Sequence, residues 1–300
     1  MKLSGLHLLL TYQCNFECDH CFVWGSPWQS GTMTLKNVLD ILKQGKELGT
    51  VKWIYFEGGE PFLYYAVMLR AIQEAAREGF QVGIVSNGYW ATDRNDAIEC
   101  LKPFATLIQE LSISSDLYHY NEKLSHQSRN ACTAAEKLGI PVGVFTIAQP
   151  EDPNAMSRVG QLPAGESAVL YRGRAAEKLV AGATQKSWSQ FTECSYEDLR
   201  EPGRVHVDAF GNLHICQGIS IGNLFRTPLK EICKRYNPDS HPITVPLLEG
   251  GPAELVRRYG LPHEATYADA CHLCYEARRA LRGKFPETLG PDQMYGVPEG

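Results

Sequence analysis

The sequence predicts an α/β protein built on a parallel barrel or open sheet, followed by a smaller cysteine-rich region of strands and helices. Three observations predict this fold. Strand-like and helix-like segments alternate about six times before residue 185, which is typical of parallel α/β proteins. Polar or glycine-rich motifs follow several of these strands, where such folds place their ligand sites. Half of the ten cysteines lie beyond residue 190.

Length and composition indicate a globular protein of one or two domains. Of the 300 residues, 44% are hydrophobic and 21% are charged, so the chain can bury a full core. A net charge of −5 does not indicate a general nucleic-acid or polybasic membrane surface, and no apolar run approaches membrane-spanning length. Because residues 1–14 do not fit an export signal, the cysteines indicate a reducing cytoplasm and metal or redox chemistry.

The alternating segments can be placed from their patterns. Apolar strands are predicted at residues 6–10, 51–56, 80–85, 108–113, 141–147 and 168–171. Helices are predicted at residues 34–49 and 65–78, from Asp93 towards Lys102, and through Cys132 to Gly139. Glycines end three of these helices, because glycine accepts the left-handed backbone that is common at helix C-termini.

The loop after the first strand holds Cys14, Cys18 and Cys21. Three thiolates are one short of a closed tetrahedral site, so they leave one corner of a bound cluster open. Buried structural cysteines seldom share one loop, and a disulfide framework suits short secreted chains better than this one. Zinc is an alternative, with His20 as the nearby fourth ligand.

Three further motifs end the next strands. Glu57-Gly58-Gly59-Glu60-Pro61 ends the second strand, and its two glycines allow a ligand to approach the main chain closely. Ser86-Asn87-Gly88 ends the third strand, and Ser112, Ser114 and Asp116 lie at the end of the fourth. Each motif taken alone also fits an ordinary turn, so its functional interpretation depends on the presence of the other motifs.

The loop Cys14-Asn15-Phe16-Glu17-Cys18-Asp19-His20-Cys21 resembles the cluster motif of the radical SAM superfamily, Cys-x-x-x-Cys-x-aromatic-Cys, with His20 in the aromatic position. The resemblance implies a partial (β/α)6, TIM-like barrel over residues 1–185. It implies a [4Fe-4S] cluster on the three cysteines and S-adenosylmethionine (SAM) on the fourth iron. The residues that it implies for SAM binding are His20, Gly58, Gly59, Glu60, Pro61, Ser86, Asn87, Ser112, Ser114 and Asp116. Relatives often have Ser-x-Asp at the fourth strand, where this chain has Ser114.

A second cysteine set comprises Cys194, Cys216, Cys271 and Cys274. Alternating apolar residues around Gly211-Asn212 predict a β-hairpin between the first two, and a short helix follows Pro228. Four cysteines suit one closed site for zinc or an iron–sulfur cluster. The arrangement resembles the twitch and SPASM auxiliary-cluster domains of radical SAM enzymes. This resemblance implies an auxiliary [4Fe-4S] domain over residues 186–300.

Within that region, residues 236–270 are predicted to be a loop-rich insertion with one helix near 253–259. The remaining cysteines, Cys100, Cys132 and Cys233, are interpreted as core residues in helices. The basic run from Arg278 to Lys284 is interpreted as a solvated helix face.

The resemblance implies an enzyme in which reductive cleavage of SAM gives a 5′-deoxyadenosyl radical that abstracts a substrate hydrogen. A fully ligated second cluster would then take one electron, so a net oxidation is expected. Its outcome is either dehydrogenation of a small polar molecule or cross-linking and maturation of a peptide. Because Cys14 lies so near the start, no peptide-recognition module is expected before the barrel, which weakens the peptide alternative. Strand-end position alone makes candidates of Glu57, His119, Tyr171, Arg172 and Arg174. For His119, an ordinary surface histidine is the favoured interpretation.

Expected partners are the small-molecule or peptide substrate and an external electron donor such as flavodoxin or ferredoxin, with no nucleic acid and no membrane. The alternative function is a non-catalytic zinc or iron–sulfur protein that serves as a scaffold or redox sensor. That alternative accounts for the cysteines but not for the motifs at Gly58–Glu60 and Ser86–Asn87.

Overall fold

The structure is a computed structural model that describes residues 1–150 and 165–297. Its strands are β1 (Leu3–Thr11), β2 (Trp53–Gly58), β3 (Gln81–Ser86), β4 (Glu110–Ser114), β5 (Val142–Ile147), β6 (Gly165–Ser167), β7 (Lys186–Ser187), β8 (Gly203–Val207), β9 (Asn212–Cys216), β10 (Ile219–Asn223) and β11 (Thr266–Tyr267). Its helices are α1 (Leu35–Leu48), α2 (Tyr65–Arg77), α3 (Arg94–Leu101), α4 (His126–Lys137), α5 (Ala175–Lys178), α6 (Leu229–Arg235), α7 (Thr244–Tyr259) and α8 (Ala270–Leu281).

Nine of these strands form one sheet in the order β10-β9-β8-β1-β2-β3-β4-β5-β6. All neighbours from β8 to β6 are parallel, whereas β9 and β10 continue the sheet in an antiparallel arrangement. The described strands therefore build an open parallel sheet of the partial-barrel type, with β10 and β6 at its edges. The fold class predicted from the sequence is confirmed.

The first five predicted strands are confirmed, with boundaries that shift by a few residues, and so are the four predicted helices between them. Local signals place the helix ends. Thr34 caps α1 through its side chain and shares a capping box with Asn37, while Gly49 ends α1 in the left-handed conformation at φ 78°. Asp93 accepts hydrogen bonds from the first turn of α3, as predicted.

The sixth strand was predicted at 168–171, and this placement is wrong: β6 lies earlier, at Gly165–Ser167. The apolar side chains of Val169 and Tyr171 are buried, but they pack with Ala175 and Ala268 in a small separate cluster. The main chain of Tyr171 donates to the Asp269 carboxylate at 3.2 Å instead of to a neighbouring strand. An apolar run alone does not distinguish these two kinds of burial.

The predicted hairpin is confirmed as β8 and β9, which turn at Gly211 with φ 86°. The sheet adds β10 to this hairpin and continues through β8 into β1, so it crosses the predicted boundary at residue 185 without a break. The two-domain division therefore stays a prediction. The predicted insertion at 236–270 contains α7, which is longer than expected and kinks at Gly250 and Gly251.

One face of the sheet packs against helices, and α1 contacts both α2 and α6 there. Side chains on the other face line a cavity instead, because successive strand residues point to opposite faces. None of the helices in the described ranges has the length and apolar character that crossing a membrane requires.

Candidate active site

A cavity of about 610 Å³ runs along one face of the parallel strands and reaches their C-terminal ends, where the cysteine loop lines it. This is the position at which α/β sheets bind their ligands. Its lining brings together most of the residues that sequence motifs singled out: Cys14, Cys18, His20, Cys21, Gly58, Gly59, Ser86, Asn87, Ser114, His119 and Arg172. Four predicted contacts, Glu60, Pro61, Ser112 and Asp116, are buried beside the cavity and do not line it.

The three-cysteine loop is held against the strand ends by main-chain contacts. The N–H of Gly25 donates to Cys21 Sγ at 3.2 Å, and the N–H of Phe16 donates to Cys14 Sγ at 3.4 Å. The buried Arg174 guanidinium donates to the carbonyls of Cys18 and Gly25, both at 2.8 Å. Arg174 thus holds the cysteine loop in place. These contacts do not support its candidate role as a substrate anchor.

The thiols of this loop carry the electrostatic signature of a site for a cationic group. Burial, together with the nearby Glu60 and Cys21, raises the pKa of Cys14 to about 12, although hydrogen bonds from Phe16 and Asn87 lower it. Burial and the two neighbouring thiols also hold the pKa of Cys18 well above its usual range. Neighbouring thiols that repel one another as thiolates, two of them buried, are stabilised in that form by iron. The residues therefore fit an iron–sulfur cluster.

The Gly58-Gly59 run packs directly on the main chain of the cysteine loop. Gly58 has φ 144°, and a Cβ on Gly59 would lie 2.1 Å from the carbonyl oxygen of Gln13. The adjacent Glu60 is fully buried, and its carboxylate accepts from the N–H of Asn87 at 2.8 Å and from Ser86 Oγ at 3.0 Å. The Glu60 carboxylate therefore links the ends of β2 and β3. The part of this run that is open to a ligand in the cavity is the main chain of Gly58 and Gly59.

The polar residues after β4 divide between the cavity and the scaffold. Ser114 lines the cavity, whereas Ser112 donates to Glu110 at 3.1 Å. Asp116 is buried between two histidines, at 2.8 Å from His119 Nδ1 and 3.2 Å from His20 Nε2. Burial raises the pKa of Asp116, but the two histidines outweigh this effect and hold it well below its usual range. The interpretation of His119 as a surface histidine is wrong, because only 9% of its side chain is exposed.

The second cysteine set gathers beside the same cavity. The thiols of Cys194 and Cys271 both interact electrostatically with those of Cys216 and Cys274, so the four predicted ligands share one region. Arg172 connects this region to the cavity, since its Nη1 lies 3.6 Å from Cys216 Sγ.

Another arginine, Arg278, is buried beside the second set and donates to the carbonyl of Cys274 at 3.3 Å. Only 1% of it is exposed, so the interpretation of residues 278–284 as a solvated face is wrong at this residue. Cys233 is confirmed as a core residue of α6.

One polar group of the cavity is formed by His7, Glu57 and His206, of which the sequence analysis singled out Glu57 and missed the two histidines. Glu57 Oε2 lies 3.2 Å from His7 Nδ1, and Glu57 Oε1 lies 3.0 Å from His206 Nε2. Burial raises the pKa of Glu57, but the two imidazoles outweigh this effect and hold it well below its usual range. The sequence signal that could have indicated this group is His7, because it is a histidine inside an otherwise apolar strand.

Fold and site together define a metal-binding α/β enzyme with three cysteines at an open site on the strand ends. Residues 8–155, just under half of the chain, match the model of the radical SAM superfamily, and this part of the chain is similar to that superfamily. The family implies that SAM and a [4Fe-4S] cluster are bound.

Two curated relatives are similar to parts of the chain. YydG of Bacillus subtilis, which has a provisional name as a peptide biosynthesis protein, is 29% identical over 111 residues, 37% of this chain and 35% of that protein. A second relative, from Pyrococcus furiosus, is named as a cofactor-modifying protein of tungsten-containing aldehyde ferredoxin oxidoreductase. It is 32% identical over 137 residues, which are 45% of this chain and 35% of that protein. The chain thus spans about a third of the length of these relatives.

Two solved structures have a similar fold. SuiB of Streptococcus suis, bound to its precursor peptide SuiA, has a TM-score of 0.54 at 13% identity and covers 85% of this chain and 73% of its own. BtrN, in complex with AdoMet and 2-DOIA, has a TM-score of 0.50 at 16% identity and covers 77% and 82%. At these identities the likeness concerns the fold.

Proposed function

We propose that the chain oxidises its substrate in two one-electron steps, with SAM at the Cys14, Cys18 and Cys21 site and a second iron–sulfur cluster on the four later cysteines. When bound, the first cluster with SAM supplies hydrogen-atom abstraction from a C–H bond, and the second cluster supplies a one-electron acceptor. The substrate thus loses a hydrogen atom, then an electron, and finally a proton. The protein orients the reactants and keeps solvent from the site.

One observation carries this proposal: a single cavity is lined at one side by the first cysteine loop and at the other by Arg172 and Glu197, next to Cys216. A substrate in this cavity would contact the SAM site and lie close to the second cysteine set. The Arg172 guanidinium lies between them, 3.3 Å from Glu197 and above the ring of Phe22. Its positive charge favours a thiolate-bound cluster that accepts an electron.

The spacing of the sulfurs supports clusters over single zinc ions. A tetrahedral zinc site with four thiolates needs sulfurs about 3.8 Å apart, since the Zn–S distance is about 2.3 Å. In the described parts of the chain, no three cysteine sulfurs lie within 4.8 Å of one another, and the cysteine that has two other ligands at that spacing is Cys18, with His20 and His119. An iron–sulfur cluster occupies a larger volume, so wider spacing suits it better.

The cavity suits a small polar molecule or one residue of a peptide. About 610 Å³ lies within the usual range for small ligands, and charged residues including Arg172, Glu197 and Arg204 line it. The provisional name of YydG supports a peptide, whereas the ligand of BtrN supports a small molecule. An external donor such as flavodoxin or ferredoxin would supply the reducing electron.

Two cysteine variants test the proposal under anaerobic conditions. Cys18→Ala should lose one cluster and release no 5′-deoxyadenosine from SAM and reductant. Cys216→Ala should retain SAM cleavage but lose substrate oxidation. The readouts are iron per chain, for which two clusters require roughly eight atoms, zinc per chain, and 5′-deoxyadenosine by chromatography.

Cys132→Ala is the matched control, because Cys132 lies in α4 outside both cysteine sets. It should keep the iron content and SAM cleavage of the unmodified protein. Zinc without iron in the second set, or 5′-deoxyadenosine release by Cys18→Ala, would contradict the proposal.

A further inference from the structure

His7, Glu57 and His206 come from three neighbouring strands, β1, β2 and β8. His7 and His206 are paired residues in the register of β1 and β8. Their side chains and that of Glu57 are 9%, 14% and 11% exposed, and all three residues line the cavity. One ligand atom from each residue lies within 4.8 Å of the other two.

One oxygen of this group has no hydrogen bond. Glu57 Oε1 is buried without a hydrogen-bond partner among the described residues, although His206 Nε2 is 3.0 Å away. Buried carboxylate oxygens are rarely left in this state, because the loss of water is costly. A cation between the oxygen and the nitrogen would satisfy the lone pairs of both.

The neighbouring rings hold the three side chains in place. Tyr55 stacks on His7 at 4.5 Å with an angle of 15° between the rings, and its hydroxyl donates to Glu110 at 2.8 Å. Gly83 provides the space, because a Cβ there would lie 2.3 Å from the Tyr55 ring. On the other side, the ring of Phe22 is 5.9 Å from that of His206. A site with fixed ligand positions loses little conformational freedom when a metal binds.

We propose that His7 Nδ1, His206 Nε2 and the carboxylate of Glu57 bind one divalent transition-metal cation in the wall of the cavity. Two histidines and one carboxylate are the ligand set of non-haem Fe(II) sites, and they leave coordination positions open. These positions face the cavity, so a hydroxyl or carboxylate oxygen of the substrate would complete the coordination. The proton between His7 and Glu57 leaves when the cation binds. The inference does not rest on the proposed function, since it requires neither SAM nor turnover.

Manganese is the appropriate probe, because Mn²⁺ prefers nitrogen and oxygen ligands to thiolates. The protein is first reconstituted anaerobically with iron and sulfide and kept oxidised. Mn²⁺ is then titrated while the electron paramagnetic resonance signal of free Mn²⁺ is followed. One Mn²⁺ per chain should bind, and equimolar Zn²⁺ or Fe²⁺ should displace it. If none of Mn²⁺, Zn²⁺ or Fe²⁺ binds in stoichiometric amount at high metal concentration, the proposal is overturned.

Glu57→Gln and His206→Ala should each weaken Mn²⁺ binding at least tenfold. Glu99→Gln is the matched control, because it makes the same change of charge at a carboxylate on α3 that is 71% exposed and contacts Lys102. It should keep the affinity of the unmodified protein. Unchanged binding in both test variants, or an equal loss in the control, would overturn the site.

If Glu57→Gln does not fold, His7→Gln provides the same test with a smaller change of charge. SAM cleavage is measured alongside. Loss of Mn²⁺ binding with normal release of 5′-deoxyadenosine supports the site by itself, whereas absence of that release from the unmodified protein contradicts only the proposed function.

Discussion

The contact between Gly59 and the cysteine loop gives a sharp test of how the first site is held. In Gly59→Ala, the new Cβ would lie 2.1 Å from the carbonyl oxygen of Gln13 and 2.5 Å from its carbonyl carbon. Real Cβ atoms do not approach closer than 3.0 Å, so the two main-chain segments must separate by about 0.9 Å. Gln13 immediately precedes Cys14, and the displacement therefore reaches the first cysteine.

The same movement strains two hydrogen bonds between these segments. The N–H of Gly59 donates to Thr11 at 2.7 Å, and the N–H of Glu60 donates to Gln13 at 2.9 Å. A buried donor left without its acceptor costs roughly 1–3 kcal/mol, so the substitution should destabilise the closed loop by about 2–6 kcal/mol. Because about 1.4 kcal/mol corresponds to a tenfold change, SAM binding should weaken at least tenfold.

The assay compares iron content and SAM affinity in Gly59→Ala and in Gly143→Ala. Gly143 lies on β5, where an added Cβ meets no atom within 4 Å. The control should keep both properties, whereas Gly59→Ala should lose iron from the first site and retain it in the second. A Gly59→Ala protein with full iron and SAM affinity within twofold of the unmodified protein would refute the reasoning.

Three further substitutions have defined outcomes. Burial raises the pKa of Glu60 from about 4.5 to about 7, so its contribution to stability falls as pH rises through that interval. In urea unfolding, the free energy of unfolding of Glu60→Gln should therefore rise by about 2 kcal/mol relative to that of the unmodified protein between pH 5.5 and 7.5. A difference that stays constant over this range would contradict the pKa shift. Asp116→Asn removes the carboxylate that both His20 and His119 contact, and it should lower the unfolding free energy by roughly 3 kcal/mol, whereas a change below about 0.5 kcal/mol would contradict this role. Arg278→Met removes a buried positive charge beside Cys274 and should halve the iron content, while exposed Arg226→Met should leave it unchanged.

The sequence was sufficient for those parts of the fold that local signals specify. Thr34, Gly49 and Asp93 mark helix ends through contacts within a few residues, so these boundaries could be predicted. The meeting of Cys14 with Gly58 could also be predicted, because carboxyl ends of neighbouring parallel strands share one edge of the sheet.

Features that depend on distant pairing could not be predicted. His206 reaches His7 only because β8 pairs with β1 from about 200 residues further along the chain, and no local pattern indicates this register. Arg278 is buried because α8 packs its Cys274 face inward beside Gln217 and Tyr295. A basic run has the same local pattern whether its helix faces solvent or a cysteine site. Residues 168–171 are apolar because they are buried outside the sheet. The spacing of apolar residues alone does not distinguish this kind of burial from burial in a strand.

The parallel pairing of β8 with β1 also fixes the relation between the two cysteine sets. Cys14 follows β1, and Cys216 ends β9, which is separated from β1 only by β8. Adjacent strands are about 4.8 Å apart, and their hydrogen bonds leave this spacing little freedom. The distance between Cys14 and Cys216 is therefore set by the backbone of one sheet and not by a linker. Loops around the cavity can change to admit a different substrate without altering this distance.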